Sequence, residues 1–336
     1  MAHELFMEKG RASMMYTGEV PWHGLGTRLD RPATAAEAIK EANLDWRVTK
    51  LPLFGTNGVL GVQVKGKYAV VREDQIGQQD AAALGIVSDG YTLLQNEDAF
   101  SFFDLMVKDK EARIYHTAGA LGNGERIWIL AKLPGYLRVA GDDIANKFLL
   151  LSNSHDGSSS VRLMVTPIRV VCNNTLNIAL EDKGGAVIHH TKQLFDNLQK
   201  AGDMLASMNA RFTDVETTYR EMASVQMNTE RLNVYLSKVF PEKSKTKHDN
   251  ENSKVLRDRK LAEHLFAEGK GNNMPGVKGT LWAAYNGVTE LVDYGVPKAA
   301  INLSGSRRLN SIWFGEGASI KSRAYKIALE RKSWLN

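Results

Sequence analysis

The residues of this 336-residue chain with chemistry to offer are eight histidines, a lone Cys172, two glycine-rich stretches and an unusual run of arginines. A zinc site prefers ligands three or four residues apart on a helix, and the histidines have no such spacing. His189 and His190 are adjacent, so on a strand they point to opposite faces and cannot easily share one metal. His155–Asp156, in the sequence SHDGS, has the residue types of a hydrolytic or oxygen-ligand site, but a polar hairpin turn accounts for both. Cys172 is flanked by Val170, Val171 and Asn173 with no histidine nearby, the setting of a small buried hydrophobe and not of a nucleophile.

The stretch from Gly271 through Gly276 and Lys278 to Thr280 resembles a phosphate-cradling loop. One residue too many separates the second glycine from the lysine, and no strand precedes it. It reads better as a glycine-rich approach to a helix capped by Thr280, whose free amides, with Lys278 beside them, can hold a phosphate. Gly24–Leu25–Gly26 and Gly122–Asn123–Gly124 each lack the third glycine of a dinucleotide fingerprint. The residues form no catalytic set and call for no cofactor and no metal.

Cations are more informative. Residues 160–171 (SVRLMVTPIRVV) put Arg162, Met164 and Thr166 on one face and, past a break at Pro167, Arg169; such arginines either meet a buried carboxylate or line a charged groove. Residues 241–336 hold 17 Lys+Arg against 10 Asp+Glu, a balance of +7, while 1–240 hold 26 against 28, a balance of −2; together they make the net +5. Arg307 and Arg308, then Lys321, Arg323 and Lys326, flank Trp313 and Phe314. Basic groups neutralise phosphates and aromatic rings stack on unpaired bases.

The elements that position these residues change character near residue 190. Before it, short runs rich in Val, Ile, Tyr and Phe alternate with Gly, Asn and Asp, the pattern of strands and hairpins. Residues 59–73 read as two strands turning at Lys65–Gly66. Segments 112–121 and 126–133 flank Gly122–Asn123–Gly124, and 147–152 and 160–171 flank SHDGSS. Helices are expected at 34–44, where Thr34 and Glu37 have capping-box spacing, and at 97–108, capped by Asn96. After Cys172, Asn173 and Asn174 cap a short helix (TLNIAL). Beyond residue 190 the spacing is helical: from Leu194 to about Met222, from a Thr229 cap to Pro241, and near 254–268, 280–294 and 317–330. Residues 241–253 contain no large apolar side chain and read as a solvated linker. The expected architecture is α+β: an antiparallel sheet body with flanking helices over 1–190, then a helical, basic C-terminal region over 191–336.

An apolar share of 43% and a charged share of 24% are ordinary for a globular protein and exclude a disordered or fibrous chain. One cysteine excludes an intrachain disulfide. No apolar run approaches the roughly 20 residues that span a bilayer, and Glu4 and Glu8 interrupt what would be a signal peptide. A cytoplasmic protein without a membrane partner is expected.

The blocks PWHGLGT (21–27), SHDGSSSVRLMVTPIRVVCNNTL (154–176) and NNMPGVKGTLWAAYNGVTELVDY (272–294) resemble an uncharacterised family of phage, prophage and plasmid proteins that carries a domain of unknown function. The resemblance covers nearly the whole chain and brings no catalytic residues with it. It implies a mobile-element origin in bacteria. The architecture is loosely similar to that of phage single-strand annealing proteins, which form rings or filaments around a charged groove. The expectation is therefore a nucleic-acid-binding protein, oligomeric and ATP-independent, that holds single-stranded DNA. Its candidate phosphate contacts are Arg162, Arg169, Lys278, Arg307, Arg308, Lys321 and Arg323. The alternatives are a module acting on a host protein and an enzyme built from distant residues such as His155, Asp156 and Asn173.

Overall fold

The computed structural model describes residues 5–18, 24–31, 33–56, 61–106, 114–169, 185–242, 249–295 and 315–331. Strands β1 (Met7–Glu8), β2 (Arg11–Ala12), β3 (Met14–Thr17) and β4 (Thr27–Leu29) precede helix α1 (Ala35–Glu41). Strands β5 (Val48–Thr56), β6 (Gly61–Arg72) and β7 (Gly85–Ser88) lead into α2 (Asn96–Met106). Strands β8 (Ile114–Leu121), β9 (Arg126–Ala140), β10 (Asp143–Ser154), β11 (Val161–Arg169) and β12 (Gly185–Ile188) follow. The chain continues in α3 (Leu194–Ser224), α4 (Thr229–Val239), α5 (Asp249–Glu268), α6 (Leu281–Tyr294) and α7 (Glu316–Leu329). The expected α+β architecture is what the chain forms.

Seven strands make one sheet in the order β12-β11-β10-β9-β8-β3-β4, antiparallel except for the β3–β4 pair, and β5, β6 and β7 make a second, antiparallel one. Local chemistry explains the connections. The β8–β9 hairpin turns on Gly122 and Gly124, both at positive φ, which glycine adopts without penalty. The capping box at α1 forms as its spacing predicts: the Thr34 hydroxyl accepts from the Glu37 amide, and the Glu37 carboxylate accepts from the Thr34 amide.

One main core joins the sheets to the helices, with Leu149, Leu151, Val161, Leu163 and Val165 of the large sheet sharing it with Leu198, Phe212, Tyr219, Trp282 and Tyr325 of the helices. Two polar ties fix the helices in register. The Trp282 indole N–H donates to Asp143 Oδ2 at 2.7 Å, joining α6 to β10, and the Tyr235 hydroxyl donates to the Ala324 carbonyl at 3.1 Å, joining α4 to α7. Trp282 and Tyr285 are fully buried. Among the described residues, no helix is long and apolar enough to cross a membrane.

Several expectations are corrected. Residues 59–73 do not turn at Lys65–Gly66: β6 runs straight through, and Gly66, at φ +70°, lies in a bulge facing the Pro52–Phe54 stretch of β5. Proline lacks the N–H that regular pairing needs, so the ladder shifts register there. β11 likewise continues through Pro167, which faces Lys147. Helix α4 is capped by the Asn228 side chain, one residue before Thr229. Helix α5 starts at Asp249, inside the expected 241–253 linker. The expected TLNIAL helix lies outside the described residues.

Candidate nucleic-acid interface

The seven strands of the large sheet carry Arg28, Arg126, Lys132, Arg138, Lys147, Arg162 and Arg169 against one carboxylate, Asp143. Asp143 is fully buried and tied to Trp282. Alternation then divides the strands into two faces. Ile127, Ile129 and Ala131 of β9 and Val161, Leu163 and Val165 of β11 point into the main core beneath the helices. The intervening residues make the opposite face, where Leu130, Phe148 and Leu150 form a small buried cluster flanked by Trp128, Met164 and Ile168.

Arg162, between Val161 and Leu163, belongs to this outer face and is exposed. Its cross-strand row is continuous: Val187 of β12 faces Arg162, Arg162 faces Ser152 of β10, Ser152 faces Trp128 of β9, and Trp128 faces Gly119 of β8. At two strand spacings, Arg162 and Trp128 stand roughly 10 Å apart. Gly119 is needed here because a Cβ on it would lie 2.3 Å from the Trp128 ring. Arg126, two residues before Trp128, donates to Ser158 Oγ at 2.9 Å. Lys132 lies farther along β9, beside His116, whose ring meets Phe148 edge-on at 5.0 Å. Burial, together with the charge of Lys132, lowers the His116 pKa to about 4.

Of the residues expected to contact phosphates, those that are described are not gathered in one patch. Arg162 takes the outer sheet face. Arg169 ends β11 opposite Ala145, and nothing of its side chain is described. Lys278 is exposed in the loop before α6, where Pro275 and Gly276 approach Gly141 and Ala140 at the β9–β10 turn. Arg307, Arg308, Trp313 and Phe314 lie outside the described residues, as does Cys172. Lys321 is corrected: it is fully buried, with its ammonium 2.8 Å from Asp293 Oδ1, so it holds α7 to α6 and cannot reach a phosphate. Arg323 donates to the Val239 carbonyl at 2.8 Å.

Other C-terminal cations have partners as well. Arg259 pairs with Glu242 and donates to the Phe240 carbonyl, Lys254 faces Glu316, and Arg331 pairs with Glu221. Beside these C-terminal groups, the large sheet carries cations of its own, of which the sequence had pointed to Arg162 and Arg169. The missed signal was that the five consecutive strands β8 to β12 contain no Asp or Glu apart from Asp143.

Histidine chemistry is also resolved. His155 is buried, and its Nε2–H donates to Asn96 Oδ1 at 3.0 Å, because the Asn96 amide nitrogen is already engaged with the Leu44 carbonyl at 2.9 Å. Burial lowers its pKa to about 3, aided by His190 and opposed by Asp156. It is a neutral core group that ties β10 to α2, not an exchanging acid or base. Asp156 accepts from the Ser154 hydroxyl and from the Ser158 amide and closes the SHDGSS turn. Asn173, the third member of that alternative, lies outside the described residues. His189 and His190 do point apart: His189 is exposed and bonded to Ser160 Oγ at 2.9 Å, whereas His190 is buried and stacked on Tyr91 with ring centroids 4.3 Å apart. Among the described residues no three His, Cys, Asp or Glu side chains stand together to hold a metal.

One family model matches residues 83–313, and its description is "Domain of unknown function (DUF932)". No curated protein and no solved structure matches the chain.

Proposed function

The chain belongs to the DUF932 family, and we propose that it is a nucleic-acid-binding protein of a phage or plasmid that lays single-stranded DNA across the outer face of its large sheet. The observation that carries this is the charge of that face: Arg126, Lys132 and Arg162 stand on it, and the one carboxylate on the strands of the sheet, Asp143, is buried against Trp282. A strand held there meets cations at Arg162, Arg126 and Lys132, and the half-buried Trp128 ring offers a surface on which a base can stack. Each such stack contributes about 1–3 kcal/mol without regard to sequence. The phosphate contacts neutralise the backbone and release counterions, so no nucleotide hydrolysis is required for binding. An open face leaves base edges free to meet a second strand, which is what ATP-independent annealing needs. The mobile-element origin and a homo-oligomeric state belong to the same proposal, the first resting on the resemblance of the sequence blocks quoted above and the second on the loose similarity of the architecture to annealing proteins.

Titration of a fluorescently labelled single strand of about 30 nucleotides tests it. Binding should tighten steeply as salt is lowered, with Trp128 fluorescence quenched in parallel and the quench absent in Trp128→Phe. Reversing two charges, Arg162→Glu with Lys132→Glu, should weaken affinity at least tenfold and flatten the salt dependence by roughly 1.4 in log–log slope, about 0.7 per lost phosphate contact on a single strand. Absence of binding at about 50 mM salt, where such contacts are strongest, would overturn the proposal. Co-purification of one host protein that survives nuclease treatment would favour an interaction module instead.

A further inference from the structure

The β5–β6 ribbon stands out from the body of the protein. β7 pairs only with Lys67–Val70 of β6, so the outer part, Phe54–Thr56 against Gly61–Gln63, is two-stranded. Its side chains are exposed, Phe54 to 58% and Val62 to 71%. The base is held rigidly: Arg72 is buried, pairs with Glu8 at 3.1 Å and Asp74 at 2.6 Å, and lies over the Trp46 ring. From Trp46 to Arg72 the chain has five Lys and Arg residues and no carboxylate. Lys65 and Lys67 are exposed beside the bulge.

Exposed apolar side chains on an arm whose strands carry lysines and no carboxylate suit a partner that is both polyanionic and apolar in part. A second copy of the arm is disfavoured, since lysines along a strand edge repel edge-to-edge pairing. Duplex DNA meets both demands. Its major groove, about 12 Å wide, admits a two-stranded ribbon and displays thymine methyl groups and adenine N6/N7 between rows of phosphates. Phe54 and Gln63 are direct cross-strand partners on one ribbon face, an apolar group beside an amide. The two match a thymine methyl and the bidentate edge of adenine.

We propose that this ribbon enters the major groove of double-stranded DNA, with Phe54 and Gln63 on the edges of A·T pairs and Lys65 and Lys67 on the flanking phosphates. The inference shares the nucleic-acid reading above and adds a site specific for duplex, separate from the sheet face. In an annealing cycle the sheet would hold the single strand and the ribbon the product.

The test uses the full chain and labelled duplexes of about 20 base pairs, one A·T-rich and one G·C-rich, with the single strand as a control. Lys65→Glu/Lys67→Glu should lower duplex affinity at least tenfold and reduce the log–log salt slope by about 1.8, from 0.9 per phosphate contact. Phe54→Ala and Gln63→Ala should each erase the preference for the A·T-rich duplex by roughly tenfold. Replacing thymine by uracil, which lacks the methyl, should weaken the unaltered protein and leave Phe54→Ala unchanged. All four side chains are solvent-exposed, so the melting temperature serves as a check on folding. Unaltered duplex binding in both the lysine and the Phe54 variants overturns the proposal. So does a change in assembly mass without DNA, which would make a second copy the occupant. If Arg162→Glu/Lys132→Glu leaves single-strand binding intact while the ribbon variants lose duplex, the sheet-face reading fails and the ribbon site stands.

Discussion

Lowering the pH from 7 to about 4.5 should remove about 5 kcal/mol of folding stability through two histidines alone. His155 and His116 are held neutral in the folded protein, with pKa values lowered to about 3 and about 4, first by burial. In the unfolded chain both return to roughly 6.5. Above that value both states are neutral and stability is complete. As pH falls below it the unfolded chain takes up protons that the fold refuses, so stability is lost progressively until the folded values are reached. At pH 4.5 each histidine lies about two units below its unfolded pKa, a cost of about 2.5 kcal/mol apiece at 1.36 kcal/mol per unit. Burial also lowers the His190 pKa, which acts in the same sense. The sum is comparable with the total stability of many domains, about 5–15 kcal/mol. Urea midpoints at the two pH values measure it. His116→Phe, which keeps an apolar ring against Phe148, should remove close to half of the pH dependence while changing stability little at pH 7. Equal urea midpoints at pH 7 and pH 4.5 would show that these rings find protons acceptable in the fold.

Replacing Asp293 by leucine should destabilise the protein by about 3–5 kcal/mol, or about 4–7 °C in melting temperature. Asp293 and Lys321 are 5% and 0% exposed and their charged atoms lie 2.8 Å apart. Desolvation lowers the Lys321 pKa while the carboxylate opposes that shift. Removing the acid leaves the ammonium in the core without this counter-charge. The double variant Asp293→Leu/Lys321→Met removes both charges at similar volume and should recover most of the loss, because a buried pair contributes little beyond its own desolvation cost. Calorimetric melts of the two variants decide the matter. A single variant as stable as the parent would show that the pair is not confined as the packing implies.

How far the sequence carried this reading varies with the kind of interaction. Thr34 and Glu37 announced α1 because a capping box closes within four residues. Gly122 and Gly124 announced the β8–β9 hairpin because a positive φ is a property of the residue itself. The same reasoning failed at Gly66, where the turn signal was genuine and the positive φ was used in a bulge, since Pro52 on the neighbouring strand could not keep the ladder regular. Nothing within residues 59–73 could report the identity of that partner. The outer sheet face was visible only as Arg162, because Trp128, Ser152 and Arg162 lie on three strands and become one row only by pairing.

The sequence by itself determined the α+β composition, the caps and most turns, the alternation that splits each strand into two faces, and a net positive charge. Those depend on contacts a few residues apart or on composition. Only the tertiary structure decided which cations remain outside: Lys321, equal to Arg162 in any count of charge, was drawn into the core against Asp293, 28 residues away, while Arg162 stayed on the surface. Charge is a local attribute of a residue. Whether it meets a carboxylate or the solvent is settled by partners that the chain brings near only when it folds.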